Sequence, residues 1–202
     1  MANLIIKPTS GGSLILQDEG GDAALTVGAT GNTTLAGTAN NLGTISSATF
    51  PAGHVVQVQY VQTGAVATTT SLIPYDDTIP QITEGAEFMT RSITPTNASN
   101  ILKIEVVICC SAGGTGNGSN VALFRDSTAN ALAAIIDDAP TGVKMNVPNF
   151  THYVVAGSTS ATTFRVRAGC RDANTFTFNG SSSARKFGGV LASSITVTEI
   201  VA

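Results

Sequence analysis

Leu14-Ile15-Leu16, Leu25-Thr26-Val27 and Thr33-Thr34-Leu35, preceded by Leu4-Ile5-Ile6, set a short triplet about every ten residues, with Gly11-Gly12, Gly20-Gly21 and Gly28 to Gly31 between them. A period this short holds one strand and one turn, so each unit exposes an apolar face that only another unit or another chain covers. Four such units close no core of their own. Residues 1–49 are therefore expected to form an attachment arm or shaft of an elongated assembly.

Outward from the arm, residues 44–54 collect turn formers and the first aromatic, Phe50, and read as a hinge. Beyond it the strands lengthen. His54 to Gln62 alternates Val56, Val58 and Tyr60 with Gln57 and Gln59, the two-residue period of a half-buried strand. Further strands are expected over Glu87–Thr94, Ile101–Cys110, Val121–Arg125, Lys144–Val147, His152–Ala156, Thr162–Ala168, Thr175–Phe178 and Ser194–Val201. Ala129–Ile136 is open between a short helix and a buried strand. Short strands joined by Gly, Asn and Ser loops point to an all-β fold, with residues 50–202 forming a β-sandwich head of the jelly-roll kind.

Only 11% of the 202 residues are charged, against roughly a quarter in average soluble domains. Ser, Thr, Asn and Gly fill the gap, as suits repetitive β-structure. The net charge is −3, and neither the ten Lys and Arg nor the aromatics form a stripe, so nucleic acid is not an expected partner. Met1 to Lys7 has no basic stretch leading into a long apolar run, and no segment nears the ~18 apolar residues of a membrane span. Neither export nor membrane insertion is expected. Alternation sends Cys109 and Cys110 to opposite faces of one strand. Together with Cys170 they read as small apolar residues of a chain made in a reducing cytoplasm.

Several blocks carry a family resemblance. Asp76-Asp77-Thr78-Ile79-Pro80-Gln81, Thr83-Glu84-Gly85, and Ser92-Ile93-Thr94-Pro95 leading into Ile101-Leu102-Lys103-Ile104 resemble the C-terminal head domain of bacteriophage tail-fibre proteins. So do Ala122-Leu123-Phe124-Arg125-Asp126-Ser127, Thr162-Thr163-Phe164-Arg165-Val166-Arg167 and the ending Ser194-Ile195-Thr196-Val197-Thr198-Glu199-Ile200. The resemblance spans residues 70–202, and the glycine-punctuated N-terminus is similar to fibre shafts. It implies a homotrimer with jelly-roll heads around a threefold axis. Physics favours the same assembly, because short arm strands with two open edges and little to bury are stabilised by winding identical copies together.

No catalytic residue and no cofactor is expected. His54 and His152 lie far apart in sequence, and no Gly-x-Ser-x-Gly elbow, His-Glu-x-x-His or clustered metal-ligand spacing accompanies them. Gly113 to Asn120 superficially resembles a phosphate loop but lacks the terminal Lys, so it reads as a loop between strands. The pairs Asp76-Asp77 and Asp137-Asp138 lie beside prolines without the spacing of a calcium loop, and turn formation accounts for both. Arg125 with Asp126, and Arg165 with Arg167, read as ion-pairing residues. Loops on a rigid sandwich are where binding usually resides. Candidate receptor contacts are Tyr75, Asp76, Asp77, Asn117, Tyr153, Arg171, Asp172 and Asn174, which combine aromatic faces with Asp, Asn or Arg as carbohydrate sites do.

The expected function is that of a structural virion protein: a trimeric fibre or spike, made in the host cytoplasm, that binds other tail or capsid proteins through its arm and displays a head for adhesion to a host glycan or protein. The alternative is a capsid decoration protein without a receptor role. A polysaccharide-degrading tail enzyme is less favoured, because such enzymes use paired carboxylates in a groove and the 13 acidic residues are scattered.

Overall fold

The computed structural model of this chain describes residues 13–17, 23–27, 33–35, 50–115, 117–139 and 143–202. The chain divides into two units, Met1–Thr49 and Phe50–Ala202. In the first, three of the four repeat triplets fall on strands: β1 (Leu14–Gln17), β2 (Ala23–Val27) and β3 (Thr33–Leu35). They pair antiparallel in the order β1-β2-β3. Leu14 opposes Val27 and Leu16 opposes Leu25, and opposed residues share a face, so these four side chains form one apolar side of the sheet. Leu16 is half exposed there. Leu4-Ile5-Ile6 and the first part of the hinge, residues 44–49, lie outside the described residues.

The second unit carries the remaining strands: β4 (Val55–Thr63), β5 (Ala67–Thr69), β6 (Ala86–Ile93), β7 (Ile101–Val107), β8 (Cys110–Ala112), β9 (Asn117–Arg125), β10 (Ala133–Ala139), β11 (Met145–Asn146), β12 (Asn149–Val155), β13 (Thr162–Cys170), β14 (Phe176–Phe178), β15 (Gly180–Ser181), β16 (Ala184–Arg185) and β17 (Ser193–Ile200). One layer has the order β10-β9-β13-β6. The other is a long sheet jogged once across its width, β12-β7-β17-β4 continuing into β11-β8-β14-β5. Counting each jogged strand once gives positions 6-3-8-1 in that layer and 5-4-7-2 in its partner. Consecutive strands thus alternate between layers except at the β9-β10 hairpin, which stays within one layer, the connectivity of a jelly roll. The segment left open between helix and strand, Ala129–Ile136, resolves into a turn followed by β10, where pairing with β9 makes it part of the sheet.

Alternation builds the core between the layers. Leu102, Ile104 and Val106 of β7, Phe164, Val166 and Ala168 of β13, and Ile195 and Val197 of β17 are fully buried against Val121, Leu123, Phe176 and Phe178. Ile108 and Cys110 continue the inward phase of β7 across the break, and Cys109 points the other way with its Sγ 3.4 Å from the Ala192 carbonyl. Burial pushes the Cys110 thiol up to about 12, so the three free, buried cysteines are packing residues. The jog is stapled by Asn179. Its backbone N–H donates to the Cys109 carbonyl (2.7 Å) and its Nδ2 to the carbonyls of Thr63 (2.7 Å) and Ala65 (3.1 Å). Its Oδ1 accepts from Ser193 Oγ (2.7 Å), which in turn receives the Cys109 N–H (2.8 Å).

The two outer faces are treated differently. On β10-β9-β13-β6, strand β9 is buried on both sides: Ala122 and Phe124 pack outward against Ile73, Ile82 and Ala131 of the crossing loops. The connection from β5 to β6 is drawn over this face by bonds from Ile73 N to Cys170 O (3.1 Å), Gly85 N to Leu72 O (2.7 Å) and Ile82 N to Ala129 O (2.8 Å). Arg167 clamps it through the carbonyls of Glu84 and Gly85, both at 2.7 Å. Gly169 permits the crossing, because a Cβ there would collide with the Ser71 carbonyl. The outer face of β12-β7-β17-β4 has no such cover among the described residues. The register lines up Val58, Thr198, Lys103 and Tyr153 in one row and Tyr60, Thr196, Glu105 and Thr151 in the next. Tyr60 is 67% exposed and Tyr153 59%, while Lys103 and Glu105 neutralise one another at 2.8 Å.

Glu199 is the one fully buried acidic side chain among the described residues. Its carboxylate accepts from Gln57 Nε2 (2.7 Å), Asn100 Nδ2 (2.7 Å), and Thr96 N and Oγ1 (both 2.8 Å). Burial alone would raise its pKa, but these hydrogen bonds together outweigh burial and hold it below the ordinary value. The ionised carboxylate therefore stabilises the fold above the unfolded pKa of about 4.3, and that contribution is lost as pH falls through the lower folded value. Glu199→Ala, leaving its donors unpaired, is expected to cost about 2–4 kcal/mol at neutral pH. In urea denaturation across a pH series, the gap between wild type and variant should narrow below about pH 4.

Candidate functional site

Three of the expected contact residues, Tyr75, Asp76 and Asp77, lie in the turn over residues 74–80, within the connection that crosses the β10-β9-β13-β6 face. Asp76 Oδ1 accepts from Thr78 N (2.8 Å) and Thr78 Oγ1 (2.5 Å), an Asx turn that fixes the loop by local bonding. The side-chain bond from Thr78, then its backbone bond, lowers the Asp76 pKa and keeps it ionised. The far end of the turn is tied down by Ala131 N to Pro80 O (2.9 Å) and by Gln81 Nε2 to Asn130 Oδ1 (3.0 Å).

Between this turn and β10 lies a cleft of about 210 Å³, walled by Ile73, Pro74, Tyr75, Asp76, Ile136 and Ala134, with Asn120 also lining it. A second, more open hollow of about 410 Å³ adjoins it on the Asp77 and Ile79 side of the turn. Tyr75 is 66% exposed, and Asn120 is 4% exposed. Asn120 Nδ2 donates to the Ile73 carbonyl (2.7 Å), while its Oδ1 is buried without a partner.

Asn117, Arg171, Asp172 and Asn174 meet in a second group. Arg171 pairs with Asp172 Oδ2 through Nε (3.0 Å) and with Asp138 Oδ1 through a terminal nitrogen (3.1 Å). Asn117 lies at the start of β9, not in a loop tip, because residues 117–120 of the glycine-rich stretch pair with β10. It is buried, with Nδ2 donating to Gly113 O (3.0 Å) and Oδ1 accepting from Asp172 N (3.3 Å). Asn174 packs against the Gly113-Gly114 turn, where a Cβ on Gly114 would meet its Nδ2 at 2.7 Å. Ile136 opposes Asn120 and Asp138 opposes Gly118. Cleft and cluster therefore occupy neighbouring rows of one face. Tyr153 stands apart from both, on the outer face of the other layer.

The reading of the arginines as ion-pairing residues holds for Arg125 and Arg165 and not for Arg167, which lies against carbonyls of the crossing connection and not against a carboxylate. Arg125 lies 3.7 Å from Asp126, Arg165 bonds Glu87 at 3.1 Å, and Arg167 is spent on backbone carbonyls. His54 stacks on Phe50 with ring centres 4.2 Å apart. Among the described residues no three His, Cys, Asp or Glu side chains gather as a metal site, and no helix is long and apolar enough to cross a membrane. Sequence reasoning missed Ile73, Asn120 and Ile136 as cleft residues. Asn120 shares the parity of Ala122 and Phe124, the signal that β9 has a second buried face.

No protein-family description matches the chain, and no curated protein matches it. Among solved structures it is similar to dimeric latent PorU from Porphyromonas gingivalis, at 9% identity over 75% of this chain and 13% of that one, with a TM-score of 0.34. The enzymatically active domain of tailspike protein 4 from bacteriophage CBA120 overlaps at 17% identity, 61% and 18% coverage and a TM-score of 0.24. The VP2 subviral particle of infectious bursal disease virus overlaps at 12% identity, 82% and 42% coverage and a TM-score of 0.29. The chain thus spans less than half the length of each. TM-scores this low leave its function to be argued from its own residues.

The Arg171 guanidinium already bridges Asp138 and Asp172, the acidic groups best placed to attract a cation here. Millimolar calcium is accordingly expected to leave the thermal midpoint unchanged. Arg171→Ala should cost no more than about 1 kcal/mol in urea denaturation, since both carboxylates are half exposed or more.

Proposed function

We propose that this chain is a non-enzymatic structural protein of a bacteriophage virion, a trimeric fibre or spike that docks through residues 1–49 and displays residues 50–202 for adhesion to the host surface. The observation that carries the reading is apolar surface left open in both units. The arm sheet presents Leu14, Leu16, Leu25 and Val27 on one side, and the head presents Val58 and Tyr60 on one edge strand and Tyr153 and Val155 on the other of an outer face, with Thr196, Thr198 and the self-cancelling Lys103–Glu105 pair between them. Soluble monomers rarely leave contiguous apolar patches of more than a few hundred Å² uncovered. A face that mixes apolar edges with a polar, internally neutral centre suits an identical copy of itself, and arms that associate raise the effective concentration of the heads.

The resemblance of residues 70–202 to tail-fibre heads supports the virion role, and the jelly-roll connectivity agrees with it. Adhesion then works by multivalency: weak contacts repeated on each spike and again over the particle sum to useful avidity. Gold-tagged antibody against residues 50–202, applied to intact virions and viewed in the electron microscope, is expected to decorate the tail. Gold over the capsid would favour a decoration protein, and its absence from the particle would overturn the virion reading.

A further inference from the structure

Beside the Tyr75 and Thr78 hydroxyls, the cleft beneath the 74–80 turn is lined by a carboxylate and an amide, with no cation among them. Asp76 presents an ionised carboxylate with one oxygen taken by Thr78. Asn120 spends its amide donor on Ile73 and keeps an orphan Oδ1. Asp77 stands across the same turn in the adjoining hollow, and no Lys, Arg or His lines either space. A carboxylate with no cation beside it repels phosphate, sulfate and carboxylate groups. The carboxylate and the orphan Oδ1 favour a ligand that brings donors, because a buried acceptor without a partner is destabilising.

The remaining wall is apolar, from Ile73, Pro74, Pro80, Ala134 and Ile136, and the exposed ring of Tyr75 also lines it. The cleft's 210 Å³ falls below the roughly 300–1,000 Å³ of pockets that hold drug-sized ligands. Its occupant is therefore about one ring in size, with an apolar C–H face toward Tyr75 and several O–H or N–H donors toward the acidic side. A pyranose has that distribution. An amino group on it would add charge complementarity to Asp76 and Asp77, whereas an acidic substituent would oppose them.

We propose that this cleft is a subsite for a single pyranose residue carrying hydroxyl or amino donors and no acidic group, stacked on Tyr75 with its donors directed at Asp76 and Asn120. Only the source of that sugar, a host-surface glycan, rests on the adhesion reading given above.

The test is saturation-transfer NMR of the full chain with glucose, galactose, mannose, glucosamine and N-acetylglucosamine, set against glucuronate and glucose 6-phosphate. At least one neutral or amino sugar is expected to receive saturation while the two acidic sugars do not. Tyr75→Ala and Asp76→Asn are expected each to weaken binding at least tenfold with the thermal midpoint unchanged, and Tyr75→Phe to retain it. Failure of every neutral and amino sugar, preference for an acidic one, or binding that survives both Tyr75→Ala and Asp76→Asn would overturn the site. Sugar binding by a protein that gold labelling does not find on virions would remove the adhesion reading and leave the site standing. Gold on virions without sugar binding would do the reverse.

Discussion

The constraint on which the rest of this structure depends is the unequal cover of the two outer faces of the jelly roll. A two-layer sandwich buries its inner faces against each other and leaves two outer faces for solvent. Here one of them is roofed by the chain itself. Phe124 and Ala122 on β9 are too apolar to face water, and Ile73 and Ile82 are drawn across to meet them. That crossing carries the 74–80 turn to a position over β10 and so creates the cleft. The same event explains why β9 reads as a continuous run of buried residues, with no alternation of exposed and buried ones.

Buried polar groups hold the parts in register without opposite charges. Asn179 and Ser193 knit the jogged sheet where its four strands break, and every hydrogen-bonding group they bring into the interior finds a partner within it. Glu199 does the same at the other end of β17, gathering the 94–100 loop and β4 around a carboxylate that hydrogen bonds alone keep ionised. In a protein with so few charges, amide and hydroxyl networks take the role that ion pairs play elsewhere. Such networks are directional and specify one arrangement. Among the described residues Arg91 Nε, Ser119 Oγ and, in the cleft, Asn120 Oδ1 are the buried side-chain atoms left unmatched.

Much of the fold was legible because strand periodicity is a local property. The outward and inward residues of β7, β13 and β17 follow the two-residue alternation written in Ile101 to Val107, Thr162 to Cys170 and Ser193 to Ile200. The triplets of the arm fell on strands for the same reason. Ala129 to Ile136 was ambiguous, since its small and aliphatic residues satisfy either period, and pairing with β9 decided it. Asn117 sits in sequence within a glycine-rich stretch that resembles a loop, but a strand partner some twenty residues later, Ala139, claims it. The candidate site was legible only in part. Tyr75, Asp76 and Asp77 announce an exposed turn by composition, whereas Asn120 and Ile136 join them only through sheet register, which no local pattern reports. Asp138 and Arg171 lie 33 residues apart in sequence, and their pairing is a product of the β10-β9-β13 order.

The other outer face has no cover among the described residues, and the proposed trimer gives it a second and third copy of the chain. Sedimentation equilibrium of the full chain over a wide concentration range, beside a Val58→Lys, Tyr60→Lys double variant, tests that most directly. The account predicts three times the chain mass for the wild type and dissociation at higher concentration for the variant, with the variant's circular dichroism unchanged. A wild type that sediments as a monomer throughout would contradict it.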